Sequence, residues 1–161
     1  MALFKPKEIL NIYTDFDGEK YLKDGFKAIL LDVDNTIAIP DTGTCDEKAE
    51  AFINNLKSLG FKVVIFSNNN TSRVKMFIRD LDVDYYSFAL KPLPFSYLNI
   101  AKKLNVKPSE IIVMGDQLLT DILGANLSGC YGIYCKKLQE KDSTWTSINR
   151  KIENIIWRFI K

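Results

Sequence analysis

Two aspartates two residues apart, Asp32 and Asp34, stand at the end of the apolar run FKAILLD, and a hydroxyl follows at Thr36. Side chains two apart on an extended chain point to the same side, so these carboxylates lie close enough to need a cation or a shared proton. Three further apolar runs end in related chemistry. Ser67-Asn68-Asn69 follows FKVVIF, Lys91-Pro92 follows a weaker run at 85–89, and Gly115-Asp116 follows IIVM, with Asp121 five residues on. Asp116 makes a third carboxylate available. An all-oxygen donor set suits Mg²⁺, whose octahedral shell takes carboxylates, waters and a substrate phosphate. A lysine and a serine at neighbouring run ends would face the dianion that such a metal only partly neutralises, so the set asks for a phosphoryl group.

Each group also has an ordinary reading. A D-x-D pair in a loop is most often a solvated turn or a cap, Ser67-Asn68-Asn69-Asn70 could cap the next helix, Lys91 could be a solvated lysine before proline, and Asp121 could brace its own helix. Four such groups in order, each closing an apolar run, outweigh these separate readings. Asp41-Thr42-Gly43 has the form of an aspartic-protease triplet, but that chemistry needs a second matching aspartate in an all-β setting. It is expected instead to form the turn of a flap over the site.

Composition narrows the chemistry. The chain has 161 residues, 47% of them hydrophobic, which is enough for a single domain, 1–161, to bury a core without staples. With 22 basic and 20 acidic side chains the net charge is +2, without the electrostatic footprint of a dedicated nucleic-acid binder, so no nucleic-acid partner is expected. There is no histidine. That removes Ser-His-Asp and Cys-His catalysis and every histidine-containing metal site, leaving carboxylates, lysines and hydroxyls. Cys45, Cys130 and Cys135 form no C-x-x-C pair and read as core or surface thiols in a reducing setting. No apolar run is long enough for a signal peptide or membrane span, so a cytoplasmic protein is expected.

The site residues need a scaffold that brings four run ends together. Short β-branched or apolar runs alternate with segments of helical spacing, the signature of an α/β domain with a mostly parallel sheet, in which ligands bind beyond the carboxyl ends of the strands. Strands are expected at 26–32, 61–66, 85–89, 111–114 and 131–135. Helices are expected at 46–59 (N-cap Asp46, C′ Gly60), 71–80, 95–104 and 118–127, with a last amphipathic helix at 143–161. Residues 1–25 are expected to wrap the domain edge as a short helix and loop.

In this order and on these run ends, Asp32-Val33-Asp34-Asn35-Thr36, Ser67, Lys91 and Gly115-Asp116 with Asp121 resemble the four motifs of the haloacid dehalogenase (HAD) superfamily of phosphatases. DVDNT, SNNN, the KP pair and GDQLLTD, together with the N-terminal LFKP and the lead-in GFKAILLD, are similar to the YqeG-type members of HAD subclass IIIA, which are related to phosphatidylglycerophosphate phosphatases. The resemblance implies a Rossmann-like three-layer α/β sandwich, Mg²⁺ dependence and an aspartyl-phosphate intermediate. Asp32 would then be the nucleophile and a metal ligand. Asp34 would be the general acid and later the base, ligating Mg²⁺ through its backbone carbonyl. Thr36 would fix the loop, Ser67 and the amide of Asn68 would hold phosphate oxygens with Thr36 beside them, and Lys91 would offset the charge at Asp32. Asp116 would complete the metal shell, with Asp121 supporting it from behind.

The interval 37–45 is too short for a cap domain, so the site should be open to a substrate whose bulk stays outside: a phospholipid headgroup such as phosphatidylglycerophosphate, a soluble phosphate ester or a phosphoprotein. A receiver-like signalling domain or a non-catalytic phosphate-binding protein is the alternative class. From 136 to 161 there are seven basic residues against three acidic ones. Ile148, Ile152, Ile155, Ile156, Phe159 and Ile160 form one helical stripe, with Arg150, Lys161 and Trp157 opposite. The stripe is expected to dock on the domain; the sharper alternative is that this cationic segment makes peripheral contact with an anionic membrane at its inner face.

Overall fold

Ala28, Ile29, Leu30 and Leu31 are all fully buried, which an alternating strand can achieve only when both faces of its sheet are covered. They form the central strand β2 (Ala28–Leu31) of a computed structural model that describes residues 2–40, 43–139 and 144–160, the side chains of 144–148 excepted. Around it lie β1 (Glu8–Leu10), β3 (Lys62–Phe66), β4 (Asp84–Tyr86), β5 (Ile111–Gly115) and β6 (Tyr131–Cys135). The order across the sheet is β1-β6-β5-β2-β3-β4, and every pairing is parallel. Because parallel strands need crossovers, helices fill the connections: α1 (Gly18–Lys23), α2 (Glu47–Leu59), α3 (Thr71–Phe77), α4 (Pro94–Leu104) and α5 (Leu123–Ser128), with α6 (Thr144–Ile160) following β6. The α/β class expected from the sequence is the one observed, with the sheet wholly rather than mostly parallel.

The period-2 alternation of the strands divides the core. Ile29 and Leu31 of β2 and Val63 and Ile65 of β3 turn to one face, where they meet Phe52, Ile53 and Leu56 of α2 and Val74 and Phe77 of α3. Ala28, Leu30, Val64 and Phe66 turn to the other and meet Tyr97 and Ile100 of α4 and Ala125 of α5. Local chemistry sets the helix ends. The Asp46 carboxylate accepts the Ala49 N–H at 2.8 Å, and Gly60 ends α2 at φ 109°, a left-handed conformation favourable to glycine. The Asn70 side chain caps α3 by accepting the Arg73 N–H at 2.9 Å.

Four expectations are revised. The N-terminal segment contributes an edge strand, β1, hydrogen-bonded alongside β6, as well as α1. Three residues are too few to show a period, and the strand exists because β6 offers it a free edge. The helix from 71 stops at Phe77 rather than at 80. The single helix expected over 118–127 begins as a π-helical turn, Leu118–Ile122, before becoming α5. Finally, α6 does not dock the whole expected stripe: Ile152, Ile155 and Phe159 are exposed, while Glu153 and Ile160 are buried. Trp157, expected on the outer side, packs edge-on against Tyr134 at 5.1 Å between ring centroids. The apolar content of that helix is wider than the face its neighbours cover.

Candidate active site

The four run ends converge. Asp32 directly follows β2, Ser67 follows β3, Lys91 lies within the connection from β4 to α4, and Asp116 directly follows β5. Since β3, β2 and β5 are adjacent and in parallel register, their carboxyl ends open on one crevice. Asp32, Thr36, Ser67, Lys91, Asp116 and Asp121 are all buried there.

Lys91 is the hub. Its Nζ donates to Asp32 Oδ1 at 2.7 Å, to Asp121 Oδ1 at 2.7 Å and to the Phe66 carbonyl at 3.1 Å. Burial alone would push this ammonium down, but the Asp121 and Asp32 carboxylates outweigh it and hold its pKa above the usual lysine range. Thr36 Oγ1 donates to the other Asp32 oxygen at 3.1 Å. The loop that allows this turns through Asn35 at φ 64°, a conformation asparagine tolerates. Asn68 acts through its side chain: Oδ1 accepts the Lys91 N–H at 2.8 Å and Nδ2 donates to the Lys91 carbonyl at 3.2 Å, which clips the lysine-bearing loop to the one after β3. Ser67 Oγ accepts the Asn69 N–H at 3.1 Å.

Asp121 reaches the hub because of the π-helical turn that carries it. Its Oδ2 accepts the Gln117 N–H at 3.1 Å. A Cβ at residue 115 would overlap the Asp121 carboxylate, so glycine there is a requirement of close approach. Burial raises the Asp121 pKa to about 6 against the opposing pull of Lys91. Burial also holds Asp116 well above the usual carboxylate range, with Arg150 opposing.

Two arginines that sequence reasoning did not single out complete the site. Arg73 Nη2 donates to Asp34 Oδ1 at 2.9 Å, Nη1 donates to the Gly43 carbonyl at 2.9 Å, and Asn69 Nδ2 donates to Asp34 Oδ2. The Asp34 pKa is raised by burial and by Asp32, while Arg73 and Asn69 pull it back. Arg150 of α6 donates to both the carboxylate and the backbone carbonyl of Asp116, and its Nη1 meets the buried Glu153 at 3.0 Å. An arginine opposite the apolar stripe, with an acid three residues on at Glu153, was the available signal for Arg150. Arg73, in the first turn of α3, gave none. Asp41 and Thr42 of the expected flap lie outside the described residues. Cys130 and Cys135 are buried, and burial raises the Cys130 and Cys45 thiols to about 12, where they are poor nucleophiles.

Asp32, Asp116 and Asp121 each offer a buried carboxylate oxygen, all within 4.8 Å of one another. Among the described residues, Asp116 Oδ1 is a buried acceptor with no hydrogen-bond partner. Three oxygens at that spacing, one of them unsatisfied, fit a small hard cation. The Asp34 side chain, held by Arg73 and Asn69, stands outside this carboxylate group. Asp121, expected only behind the ligands, is inside it.

The family model of the haloacid dehalogenase-like hydrolases matches residues 8–129, from β1 past the end of α5 and through every site residue except Arg150 and Glu153. The chain belongs to the haloacid dehalogenase-like hydrolases. Two relatives are aligned over nearly all of it. The "Probable phosphatase YqeG" of Bacillus subtilis is 32% identical over 158 residues, 98% of this chain and 92% of its own length. The mitochondrial phosphatidylglycerophosphatase GEP4 of Saccharomyces cerevisiae is 27% identical over 180 residues, 99% of this chain and 90% of its own. Among solved structures, an uncharacterized protein of Listeria monocytogenes superposes with a TM-score of 0.59 at 19% identity, over 73% of this chain and 85% of that one. The cobalt-bound deoxy-D-mannose-octulosonate 8-phosphate phosphatase of Haemophilus influenzae gives 0.57 at 15% identity, over 70% and 69%. These structural likenesses speak to the haloacid dehalogenase-like fold.

Proposed function

We propose that this hydrolase is a Mg²⁺-dependent phosphomonoesterase working through an aspartyl-phosphate at Asp32, with phosphatidylglycerophosphate as its substrate. The observation that carries the reading is the hub itself: Lys91 between Asp32 and Asp121, with an unpartnered Asp116 oxygen beside them. Asp32, Asp116 and the Asp34 backbone carbonyl would hold the metal, with Asp121 next to them, and the bound ion would supply charge neutralisation for the phosphoryl oxygens.

Lys91 and Thr36 each occupy one Asp32 oxygen, which fixes the carboxylate for attack on phosphorus. As the Asp32–phosphorus bond forms, the ester oxygen leaves with a proton from Asp34, whose pKa burial and the neighbouring Asp32 raise, the direction a proton donor needs. Water then attacks phosphorus, gives its proton back to Asp34, and releases inorganic phosphate and Asp32. The Ser67 hydroxyl and the backbone N–H of Asn68 hold phosphoryl oxygens during both displacements.

The lipid substrate is supported by the relative named a phosphatidylglycerophosphatase and by an open site: among the described residues, 37–45 contain no helix or strand that could form a cap. Contact with an anionic membrane through α6 is supported by the exposed Ile152, Ile155 and Phe159, flanked by exposed Lys151 and Arg158. No described helix is long and apolar enough to cross a membrane; the reading is of a cytoplasmic protein that binds peripherally.

The test is a substrate panel with vesicle-borne phosphatidylglycerophosphate beside sugar phosphates, nucleotides and phosphopeptides, run with Mg²⁺, with EDTA and with Ca²⁺. Mg²⁺ should support turnover, and EDTA should abolish it. Ca²⁺, with its larger and looser shell, should inhibit by misplacing the nucleophile. Preference for a soluble ester by kcat/KM removes the lipid assignment; full activity in excess chelator removes the metal.

A further inference from the structure

The connection that delivers Lys91 to the site carries an exposed apolar rim. Phe88 is 58% exposed and Leu90 56%, and Leu93 and Phe95 are exposed beside them. Between them, Ala89 and Lys91 turn inward and are buried. From 85 to 101 the sequence contains one charged residue, Lys91, and its ammonium is consumed by the hub.

The backbone here is strained and rigid. Phe88 sits at φ 48° and Leu90 at φ 54°, in the left-handed region that bulky side chains avoid. The segment is nevertheless pinned at every turn. The Phe88 N–H reaches the Asn69 carbonyl at 2.9 Å, the Ala89 N–H reaches Ser67 at 3.0 Å, the Lys91 N–H reaches Asn68 Oδ1 at 2.8 Å and the Leu93 N–H reaches Leu90 at 2.9 Å. Asparagine or glycine would adopt the same backbone with less strain and a better-hydrated surface. Two large apolar side chains held outward in that conformation, beside the lysine that holds Asp32, are explained by what they touch outside the protein.

We infer that Phe88, Leu90, Leu93 and Phe95 form a preformed rim that inserts into the interface of an anionic lipid bilayer and sets the site at headgroup depth. The inference rests on the phosphatase reading above and adds to it the surface that meets the lipid. The rim flanks along the chain the lysine that holds Asp32, and an uncharged apolar edge there suits the boundary between headgroups and acyl chains. Because its hydrogen bonds already order the segment, insertion requires little further loss of conformational freedom.

The experiment compares the parent with Phe88→Asn/Leu90→Asn, neither residue being part of the catalytic machinery. Both proteins are co-sedimented with phosphatidylglycerol-rich and phosphatidylcholine vesicles, and both are assayed on p-nitrophenyl phosphate. At about 1 M salt, where the Debye length is roughly 3 Å, the cations of α6 no longer contribute, and because its exposed apolar side chains are the same in both proteins, the difference between variant and parent reads the rim. The double variant should lose at least about tenfold in vesicle partition under that condition, the size expected on withdrawing two large apolar side chains. It should keep p-nitrophenyl phosphate kcat/KM within about twofold and melt no lower than the parent, since asparagine suits the left-handed backbone. Unchanged partition of the variant overturns the inference. So does a parent dimer that the substitutions convert to monomer, because the rim would then face a second copy. A parent that hydrolyses no phosphate ester yet binds vesicles through the rim overturns the phosphatase reading instead.

Discussion

Arg150 of α6 reaches back to Asp116 at the end of β5, donating Nη2 to carboxylate Oδ2 and Nη1 to the backbone carbonyl of the same residue. Glu153 steadies the guanidinium from one helical turn on, and its other oxygen accepts the Leu119 N–H at 2.9 Å. With Oδ2 engaged, Oδ1 is the oxygen left to the site. The C-terminal helix therefore decides which lone pairs of Asp116 a cation meets.

Replacing Arg150 by methionine leaves that buried carboxylate without its counter-ion. Breaking a buried pair from one side costs about 3 kcal/mol or more, and loss of a group that orients a metal ligand typically weakens metal binding about 10–100-fold. Denaturant unfolding and calorimetric Mg²⁺ titration of Arg150→Met and Arg150→Lys measure the two effects separately. A folded Arg150→Lys protein with the parent's Mg²⁺ affinity would reduce the contact to a clamp for the helix.

Asp32→Asn should lower kcat by on the order of 10³-fold or more with the fold retained, because the amide is a far weaker nucleophile and the size of the side chain is conserved. Asp34→Asn slows turnover differently, by removing the proton donor and the later base. Rapid-quench mass spectrometry of that second variant should catch one phosphoryl group on Asp32. Near-normal turnover by Asp32→Asn would sink the covalent mechanism.

Arg73 restrains the Asp34 pKa, which burial and Asp32 raise. Removing a cation raises the pKa of the carboxyl it faced, so Arg73→Met should leave Asp34 protonated to higher pH. The alkaline limb of the kcat profile should move up by about one pH unit, the low end of what a close opposite charge contributes. An alkaline limb that does not move would show that another group sets it.

The buried Asp121 carboxyl, raised to about 6, links stability to pH. A folded pKa above the unfolded value near 4 means that the protonated form is favoured by folding. Its contribution is present in full below about pH 4 and is lost as pH rises through about 6, amounting to roughly 3 kcal/mol. Metal-free parent protein should lose this increment between pH 4 and 7, whereas Asp121→Asn should show a flatter profile in thermal melts. Mg²⁺ should restore the parent most at the high end of the range, where the carboxylates are already ionised. Equal slopes in the two proteins would remove Asp121 as the source.

The sheet and the edge that gathers the candidate site were legible along the chain because both depend on local regularity. AILL, KVVIF and IIVMG are runs that only a sheet covered on both faces accommodates, and parallel pairing then puts Asp32, Ser67 and Asp116 at one end without further information. The short elements were less legible. β1 has three residues and owes its existence to the edge of β6, and the π-helical turn that swings Asp121 inward differs from an α-helix by one residue per turn, which an apolar pattern does not resolve.

By itself the sequence determined the α/β architecture, the acidic all-oxygen chemistry and the order of the four groups, since each follows from residue type and spacing over a few neighbours. Tertiary structure alone decided that Arg73 holds Asp34, that Arg150, braced by Glu153, holds Asp116, and that Ile152, Ile155 and Phe159 face outward while Glu153 faces in. The reason is physical. Periodicity reports which side of a helix is apolar, but which side is buried depends on the partner it meets. A buried carboxylate such as Asp116, needing a counter-ion, can draw a helix onto its charged face and leave apolar side chains in the open.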